Sequence, residues 1–208
     1  MLRVGLTGSI GVGKTFVSSV LAQLGCFVLD ADATAREVVA PGSPGLQAVV
    51  ASFGKEILTS DGGLDRSKLG ALIFADAGRR VTLNSILHPY IIAKQDEQLR
   101  RWAAEDANGI AVVDAALMIE SGGYKRLDKL IVVHCREEVQ IERLMARNHL
   151  SREEAERRIS SQMSQDEKKQ FADYLIDTSD GFASARAQAV EVYEKLREDS
   201  EKLDAALV

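Results

Sequence analysis

Eight residues near the start of the chain, Gly8-Ser9-Ile10-Gly11-Val12-Gly13-Lys14-Thr15, have the spacing G-x-x-x-x-G-K-[ST] of a phosphate-binding loop. The residue types explain what such a loop does. Glycines let the backbone curl until successive N–H groups point into one concave nest that suits an anion. A helix starting there adds the positive end of its dipole. Lys14 supplies a point charge for the β- and γ-phosphates of a nucleoside triphosphate, and the Thr15 hydroxyl can ligate Mg²⁺. A glycine-rich turn without a ligand can carry the same letters, so the context decides. Leu2-Arg3-Val4-Gly5-Leu6-Thr7 reads as a short apolar strand. Lys14 to Leu24 reads as a helix with Phe16, Val17, Val20, Leu21 and Leu24 on one face and Gly25 as its stop. Strand, glycine loop and helix is the order this chemistry requires.

Carboxylates and cations form a second group of candidates. Asp30-Ala31-Asp32-Ala33-Thr34-Ala35-Arg36 follows an apolar run. An aspartate just past a strand end can take the proton of an acceptor hydroxyl while positioning and Mg²⁺ carry the phosphoryl transfer. Arg36 lies one helical turn beyond Asp32, so both can face one ligand. Asp32 can equally be the cap of the helix that begins there, and spacing leaves both readings open. Asp114, which also ends an apolar run, has the place of a metal-associated aspartate or, again, of a helix cap. Seven cations, Arg143, Arg147, Arg152, Arg157, Arg158, Lys168 and Lys169, gather in one segment. Glu153, Glu154, Glu156, Asp166 and Glu167 lie among them, so the segment reads as a phosphate-sensing lid or as a solvated charged helix. Arg143 and Arg147 come first, nearest the preceding strand, and are the candidates for phosphate contact. His88, before Pro89, is a substrate contact or a structural histidine at a turn.

The elements that must position these residues are readable from apolar runs. Cys26-Phe27-Val28-Leu29-Asp30, Ile110-Ala111-Val112-Val113-Asp114, Leu130-Ile131-Val132-Val133 and Tyr174-Leu175-Ile176-Asp177 join the first strand. Short continuous runs of this kind suit parallel strands buried on both faces, and their alternation with helices predicts a doubly wound α/β fold. Ligands of such folds bind at the carboxyl ends of the strands, where Asp30, Asp114 and Asp177 fall. The long stretch from Ala31 to Gly109 is helical in pattern. Ser43-Pro44 predicts a helix start with Gly54 as its stop, Asp65 caps a helix running to Ala75, and Pro89 opens a further helix that continues past Trp102. Ser151-Arg152-Glu153-Glu154 is a capping box, and a last helix runs from Phe182 to Leu207.

Bulk properties exclude several classes. The chain has 208 residues, 46% hydrophobic and 27% charged, with a net charge of −5. It is large enough for one sizeable core and an inserted subdomain. The acidic balance argues against a general nucleic-acid surface. No apolar run approaches the ~20 residues that span a bilayer, and no secretory signal is apparent, so a cytoplasmic protein without a membrane partner is expected. Cys26 and Cys135 are expected as buried free thiols, and no cysteine–histidine cluster supports zinc. The Asn-Lys-x-Asp element of a guanine-reading switch is missing, and Asp106-Ala107-Asn108-Gly109 precedes a strand, the wrong place for one.

Nearly the whole chain, from Val4 to about Gly181, resembles the dephospho-CoA kinase family. The resemblance rests on Gly5 to Thr15, on Asp30-Ala31-Asp32 with Arg36, and on Val39-Ala40-Pro41-Gly42. It continues through Leu83-Asn84-Ser85-Ile86-Leu87-His88-Pro89 and Asp114-Ala115-Ala116-Leu117-Met118-Ile119-Glu120. Arg143 and Arg147, Arg158-Ile159 with Gln162, and Ala172 to Asp177 complete it. The phosphate loop is shared by many families; the aspartate pair followed by Leu-His-Pro is far more specific.

The resemblance implies an α/β fold of the P-loop NTPase, nucleoside-monophosphate-kinase-like type: a parallel sheet flanked by helices, with a helical substrate-binding insertion and a lid. Residues 1–30, 109–142 and 171–208 would form the nucleotide-binding core, 31–108 the acceptor subdomain and 143–170 the lid. It implies ATP-dependent phosphorylation of the ribose 3′-hydroxyl of dephospho-CoA, with Mg²⁺. A nucleoside monophosphate or other metabolite kinase is the alternative of the same chemistry. ATP would be held by Gly8, Gly11, Val12, Gly13, Lys14, Thr15 and Phe16. Asp32 would be the base, with Lys14, Arg143 and Arg147 catalytic. Asp32, Arg36, His88 and Leu117 would contact dephospho-CoA, and Thr15 and Asp114 would serve the metal. The partners would be these two small molecules, with the protein a monomer or weak homo-oligomer. Two positions depart from the family. Ala116 stands where a proline is usual, which implies a softer backbone there. Thr178 stands where an asparagine is favoured, which implies relaxed selectivity for the base if that asparagine reads it.

Overall fold

The computed structural model describes residues 1–205. Five strands, β1 (Leu2–Thr7), β2 (Phe27–Asp30), β3 (Ile110–Asp114), β4 (Lys129–His134) and β5 (Tyr174–Asp177), form one sheet in the order β2-β3-β1-β4-β5. The β1–β3, β1–β4 and β4–β5 pairs are parallel. Their register places Leu6 opposite Asp114 and His134 opposite Asp177, so both aspartates lie at carboxyl ends beside the loop that leaves Thr7. The five expected strands are all present, within one residue at each end. Cys26 falls just outside β2 because its N–H closes the preceding turn on Leu21 O at 3.0 Å.

Nine helices accompany the sheet among the described residues: α1 (Lys14–Gln23), α2 (Ala31–Glu37), α3 (Pro44–Phe53), α4 (Arg66–Ala75), α5 (Ala77–Glu105), α6 (Glu137–Asn148), α7 (Arg152–Ser160), α8 (Gln165–Lys169) and α9 (Gly181–Ala205). The helix expected to reach Leu207 ends, as described, at Ala205; Ala206 and Leu207 lie outside the described residues. No described helix is long and apolar enough to cross a membrane.

The chain divides into two compact units, Asp30–Arg101 and the remainder. In the larger unit, Val17, Val20 and Leu21 of α1 and Ala189, Val192 and Leu196 of α9 pack on the buried strands. Phe16 and Leu24 join that core from its edge, completing the apolar face expected of α1. Cys26 and Cys135 are buried and free, and burial pushes the Cys26 thiol up to about 12. The smaller unit has its own core around Val49, Phe53, Ile57, Leu69 and Leu83. Its helix starts follow the expected caps. Ser43 Oγ accepts from Leu46 N at 3.2 Å, with Pro44 in the first turn, and Asp65 Oδ1 accepts from Lys68 N at 3.0 Å.

Pro89 corrects the sequence reading. It does not open a helix but lies inside α5, which runs unbroken through 29 residues. A proline there removes one N–H and frees the carbonyl four residues back. Both Ser85 and Pro89 are exposed, so water can take that carbonyl, and Leu83 and Leu99 anchor the helix on either side.

Candidate active site

The loop between β1 and α1 has the backbone that its glycines permit. Gly13 is the N-cap of α1 with φ 87°, a left-handed conformation that a side chain would strain. A Cβ at Gly8 would stand 2.5 Å from Val133 O, so only glycine lets the loop lie against β4. The amides of Lys14 and Thr15, in the first turn of α1, have no acceptor within their helix and are available to an anion. A cavity of about 720 Å³ opens over the loop, lined by Gly8, Gly11, Val12, Gly13, Lys14, Thr15 and Phe16 on one side and by Arg143, Arg147 and Phe182 on the other. Phe182 was not singled out in the sequence; its ring lies 4.7 Å from that of Phe16, tilted by 46°.

Lys14 Nζ is paired with Asp114 Oδ1, and both side chains are largely buried. Asp114 is not a helix cap, because the chain that follows it, 116–122, is turn and not helix. Thr15 is exposed at the cavity. No group of three or more histidine, cysteine, aspartate or glutamate side chains able to hold a metal occurs among the described residues. One hydroxyl and one carboxylate are oxygen donors of the hard type Mg²⁺ takes, and they suit an ion that keeps waters and phosphate oxygens in its shell rather than a protein cage.

The cations of the 143–169 segment separate into distinct roles. Arg143 donates from Nη1 to Thr178 Oγ1 at 2.8 Å and from Nη2 to Thr178 O at 2.7 Å. Arg147 is exposed, with Nε on Asn148 Oδ1 at 3.0 Å. Arg152 is turned away, onto Glu138 at 2.7 Å and Glu156 at 2.8 Å. Lys169 pairs with Asp166 at 3.0 Å. Lys168 is fully buried, which removes it from any cationic surface. The expected capping box is present: Ser151 Oγ accepts from Glu154 N at 3.2 Å and Glu154 Oε2 from Ser151 N at 2.8 Å. Ser164 and Glu167 form a second box that was not anticipated, although its letters follow the same rule.

Several residues hold the loop from outside, in a role the sequence did not reveal. Ile10 N donates to Gln162 Oε1 at 2.8 Å, and Gln140 Nε2 donates to Ile10 O at 2.6 Å. Ser9 Oγ donates to Met163 O at 3.3 Å. Thr178 is buried, and its hydroxyl donates to Val12 O at 2.6 Å while accepting from Arg143. A hydroxyl so engaged braces the phosphate loop and is not available to read a base edge. Ala116 O receives Thr7 Oγ1 at 3.2 Å and Lys168 Nζ at 2.8 Å, two donors that restrain a position where proline rigidity is missing.

The structure resolves what Asp32 is not. Asp30 is the cap of α2, its Oδ1 accepting from Asp32 N at 2.8 Å and Ala33 N at 3.0 Å. Asp32 stands in the first turn, exposed, and its carboxylate has no hydrogen-bond or ion-pair partner among the described residues. Arg36 lies one turn further on α2 and is also exposed. His88, in α5, is exposed as well, and Leu117 is an exposed apolar residue in the loop after β3.

A sheet whose central strand delivers a glycine loop, a largely buried lysine and the start of a helix to one cavity defines a P-loop nucleotide-binding protein. The family model for dephospho-CoA kinase matches residues 2–184. A dephospho-CoA kinase of Carboxydothermus hydrogenoformans is 41% identical over 192 residues, covering 92% of this chain and 93% of the relative. Among solved structures, TT1252 from Thermus thermophilus superposes with a TM-score of 0.80 at 30% identity, over 92% of this chain and 95% of that one. A dephospho-CoA kinase from Campylobacter jejuni gives 0.71 at 29% identity, over 95% of this chain and 98% of that one. The chain belongs to the dephospho-CoA kinase family, and it is a kinase.

Proposed function

We propose that this chain transfers the γ-phosphoryl group of ATP to the ribose 3′-hydroxyl of dephospho-CoA, giving coenzyme A and ADP. The observation that carries this reading is the Lys14–Asp114 pair at the mouth of the phosphate loop, in a chain matched to its family over residues 2–184. Lys14 and the free amides of the loop bind the β- and γ-phosphates; on binding, Lys14 exchanges Asp114 for phosphate oxygens. Gly8, Gly11, Val12, Gly13 and Phe16 complete the ATP site. Thr15 and Asp114 would hold Mg²⁺, which when bound would supply neutralisation of phosphate charge.

Asp32 takes the 3′-hydroxyl proton as the oxygen attacks the γ-phosphorus and the bond to the β,γ-bridging oxygen breaks, releasing ADP. An exposed carboxylate free of a capping role supports that assignment. Arg36, His88 and Leu117 contact the acceptor, whose subdomain is 31–108; the nucleotide-binding core is 1–30, 109–142 and 171–208. Arg143 and Arg147, at the start of a 143–170 lid, stabilise the transferring phosphoryl group. The protein works in the cytoplasm as a monomer or weak homo-oligomer, on small molecules and not on nucleic acid or membrane. A coupled ADP-release assay tests this. Dephospho-CoA should support turnover at least about 100-fold faster than AMP or shikimate, a discrimination within reach of a site that hydrogen-bonds its substrate; equal rates with all three would refute it.

A further inference from the structure

Lys168 is a lysine of complete burial, with two acceptors. Its Nζ lies 2.9 Å from Glu120 Oε1 and 2.8 Å from Ala116 O. Removing an ammonium from water costs several kcal/mol unless good partners replace the water, so such a group is a poor choice for mere filling. The direction of its bonds shows what it does. Both partners belong to the loop that leaves β3. Ala116 O is bracketed by this ammonium and by the hydroxyl of Thr7, the last residue of β1. Ala115 N is tied to Leu6 O at 3.0 Å, and Asp114, the partner of Lys14, is the next residue back. Glu120 Oε1 also accepts from Met163 N at 3.3 Å. The few residues from Gln162 to Lys168 thus grip two things: the phosphate loop, through Ile10 and Ser9, and the Asp114–Glu120 loop, through Lys168.

We propose that Lys168 is a positioning residue for phosphoryl transfer, fixing the Asp114–Glu120 loop so that Asp114 keeps its place against Lys14 of the phosphate loop. The proposal rests on the kinase reading of that site. Lys168 touches no substrate in it; it acts through the Ala116 carbonyl and Glu120.

Lys168→Met keeps length and apolar volume while deleting the ammonium, and a buried ion pair replaced by apolar atoms often leaves folding intact. Glu120→Gln keeps shape and acceptor while deleting the charge. Lys168→Met should lower kcat at least about 30-fold with the KM for ATP within about 2-fold, since a misplaced reacting group is costly even when binding survives. Glu120→Gln should lower it by a smaller factor. Hydrogen exchange on the ligand-free protein supplies a second readout. The amides of Ala115, Ser121 and Tyr124, bonded to Leu6, Leu117 and Met118, should exchange faster in Lys168→Met, while those of β4 stay unchanged. A folded Lys168→Met with kcat within about 3-fold of wild type and unchanged exchange at these amides overturns the proposal; a merely structural lysine would shift the melting temperature and nothing else. Should Lys168→Met not fold, a Glu120→Gln protein with wild-type kcat and wild-type exchange overturns it equally. If wild-type protein itself releases no ADP with dephospho-CoA, the functional reading fails, and the exchange experiment still decides whether Lys168 holds the loop.

Discussion

The two compact units of this chain treat their chemical side chains in opposite ways. In the larger unit several are tied down. Lys14 is paired with Asp114, Arg143 is doubly bonded to Thr178, and Gln162 and Gln140 hold Ile10 from either side. In the Asp30–Arg101 unit, Asp32, Arg36 and His88 are exposed, and none of their side chains has a hydrogen-bond or ion-pair partner among the described residues. Triphosphate chemistry is the same in every turnover and develops charge at fixed oxygens, so preorganised donors are effective there. Exposed side chains without protein partners suit recognition of a ligand that supplies the partners itself. The contrast predicts how substitutions in each unit will behave.

Loss of Lys14 should have the largest effect. Lys14→Ala removes the charge that acts on the developing phosphate, and losses of this kind reach ~3 kcal/mol or more, at least about 100-fold in kcat. Folding should survive, although Asp114 then needs water in place of the ammonium. A folded variant with more than about a tenth of wild-type turnover would remove Lys14 from the site.

In the smaller unit the two aspartates should separate cleanly. Asp32→Asn should cut kcat about 100-fold with ATP affinity nearly unchanged, because the amide keeps shape but cannot take a proton. Asp30→Asn should be far milder in catalysis, since asparagine also caps helices well, whereas Asp30→Ala should cost about 1 kcal/mol of stability. Urea unfolding and steady-state kinetics on the same preparations check both. Asp30 indispensable and Asp32 dispensable would reverse the assignment.

The arginines give a smaller and more local contrast. Arg143→Ala and Arg147→Ala should each lower kcat by about 10-fold, more than they raise the KM for dephospho-CoA, as expected of charges acting mainly in the transition state. Thr178→Val should reproduce part of the Arg143→Ala loss, because it removes one of the two acceptors of that guanidinium, and should leave an Arg147→Ala background unaffected beyond additivity. Hydrogen exchange should slow across 147–160 on nucleotide binding. It should change little at 162–168, where the chain already grips the phosphate loop without ligand. Exchange that is uniform across 143–169, with and without ATP, would make the segment a single solvated helical region and not a lid.

What could be read from sequence is what depends on neighbouring residues. The phosphate loop, the caps at Ser43, Asp65 and Ser151, and the five apolar strands are local patterns, and each was recoverable from a few adjacent letters. Pro89 misled because a rule about isolated helices ignores the contacts of Leu83 and Leu99 that carry α5 through it. Thr178 and Lys168 were unreadable for a different reason. Thr178 meets Val12 across 166 residues of sequence and Lys168 meets Ala116 across 52, and Gln-Asp-Glu-Lys-Lys gives no sign that its fourth residue is buried. Polar contacts of that range leave no periodicity. The letters Asp-Ala-Asp do not say which aspartate caps α2; in the structure Asp30 makes both capping bonds.

The smallest expected effect is one of acid stability, and it lies wholly in the larger unit. At the end of β5, burial alone would raise the carboxyl of Asp177, but bonds from the Ser179 hydroxyl and N–H, with His134 and Arg136 nearby, outweigh it and hold the group below the usual range. On the adjacent strand, burial lowers His134 below its ordinary value, against the pull of Asp177. Both shifts mean that the unfolded chain binds more protons than the folded one, so stability falls as pH falls, but in separate windows. His134 acts first, from about pH 6.5 downward to its folded value, and Asp177 only below about pH 4. Each contribution should be a fraction of a kcal/mol, because both groups are partly open to solvent. His134→Gln should flatten the stability profile just below about pH 6.5 and leave the acid limb below pH 4 intact. Asp177→Asn should flatten that limb and lower stability modestly at neutral pH, where the charge-assisted bonds to Ser179 are lost. Urea unfolding at closely spaced pH values separates the two, and a His134→Gln profile that parallels wild type from pH 7 to 5 would show that the imidazole is not held neutral by burial.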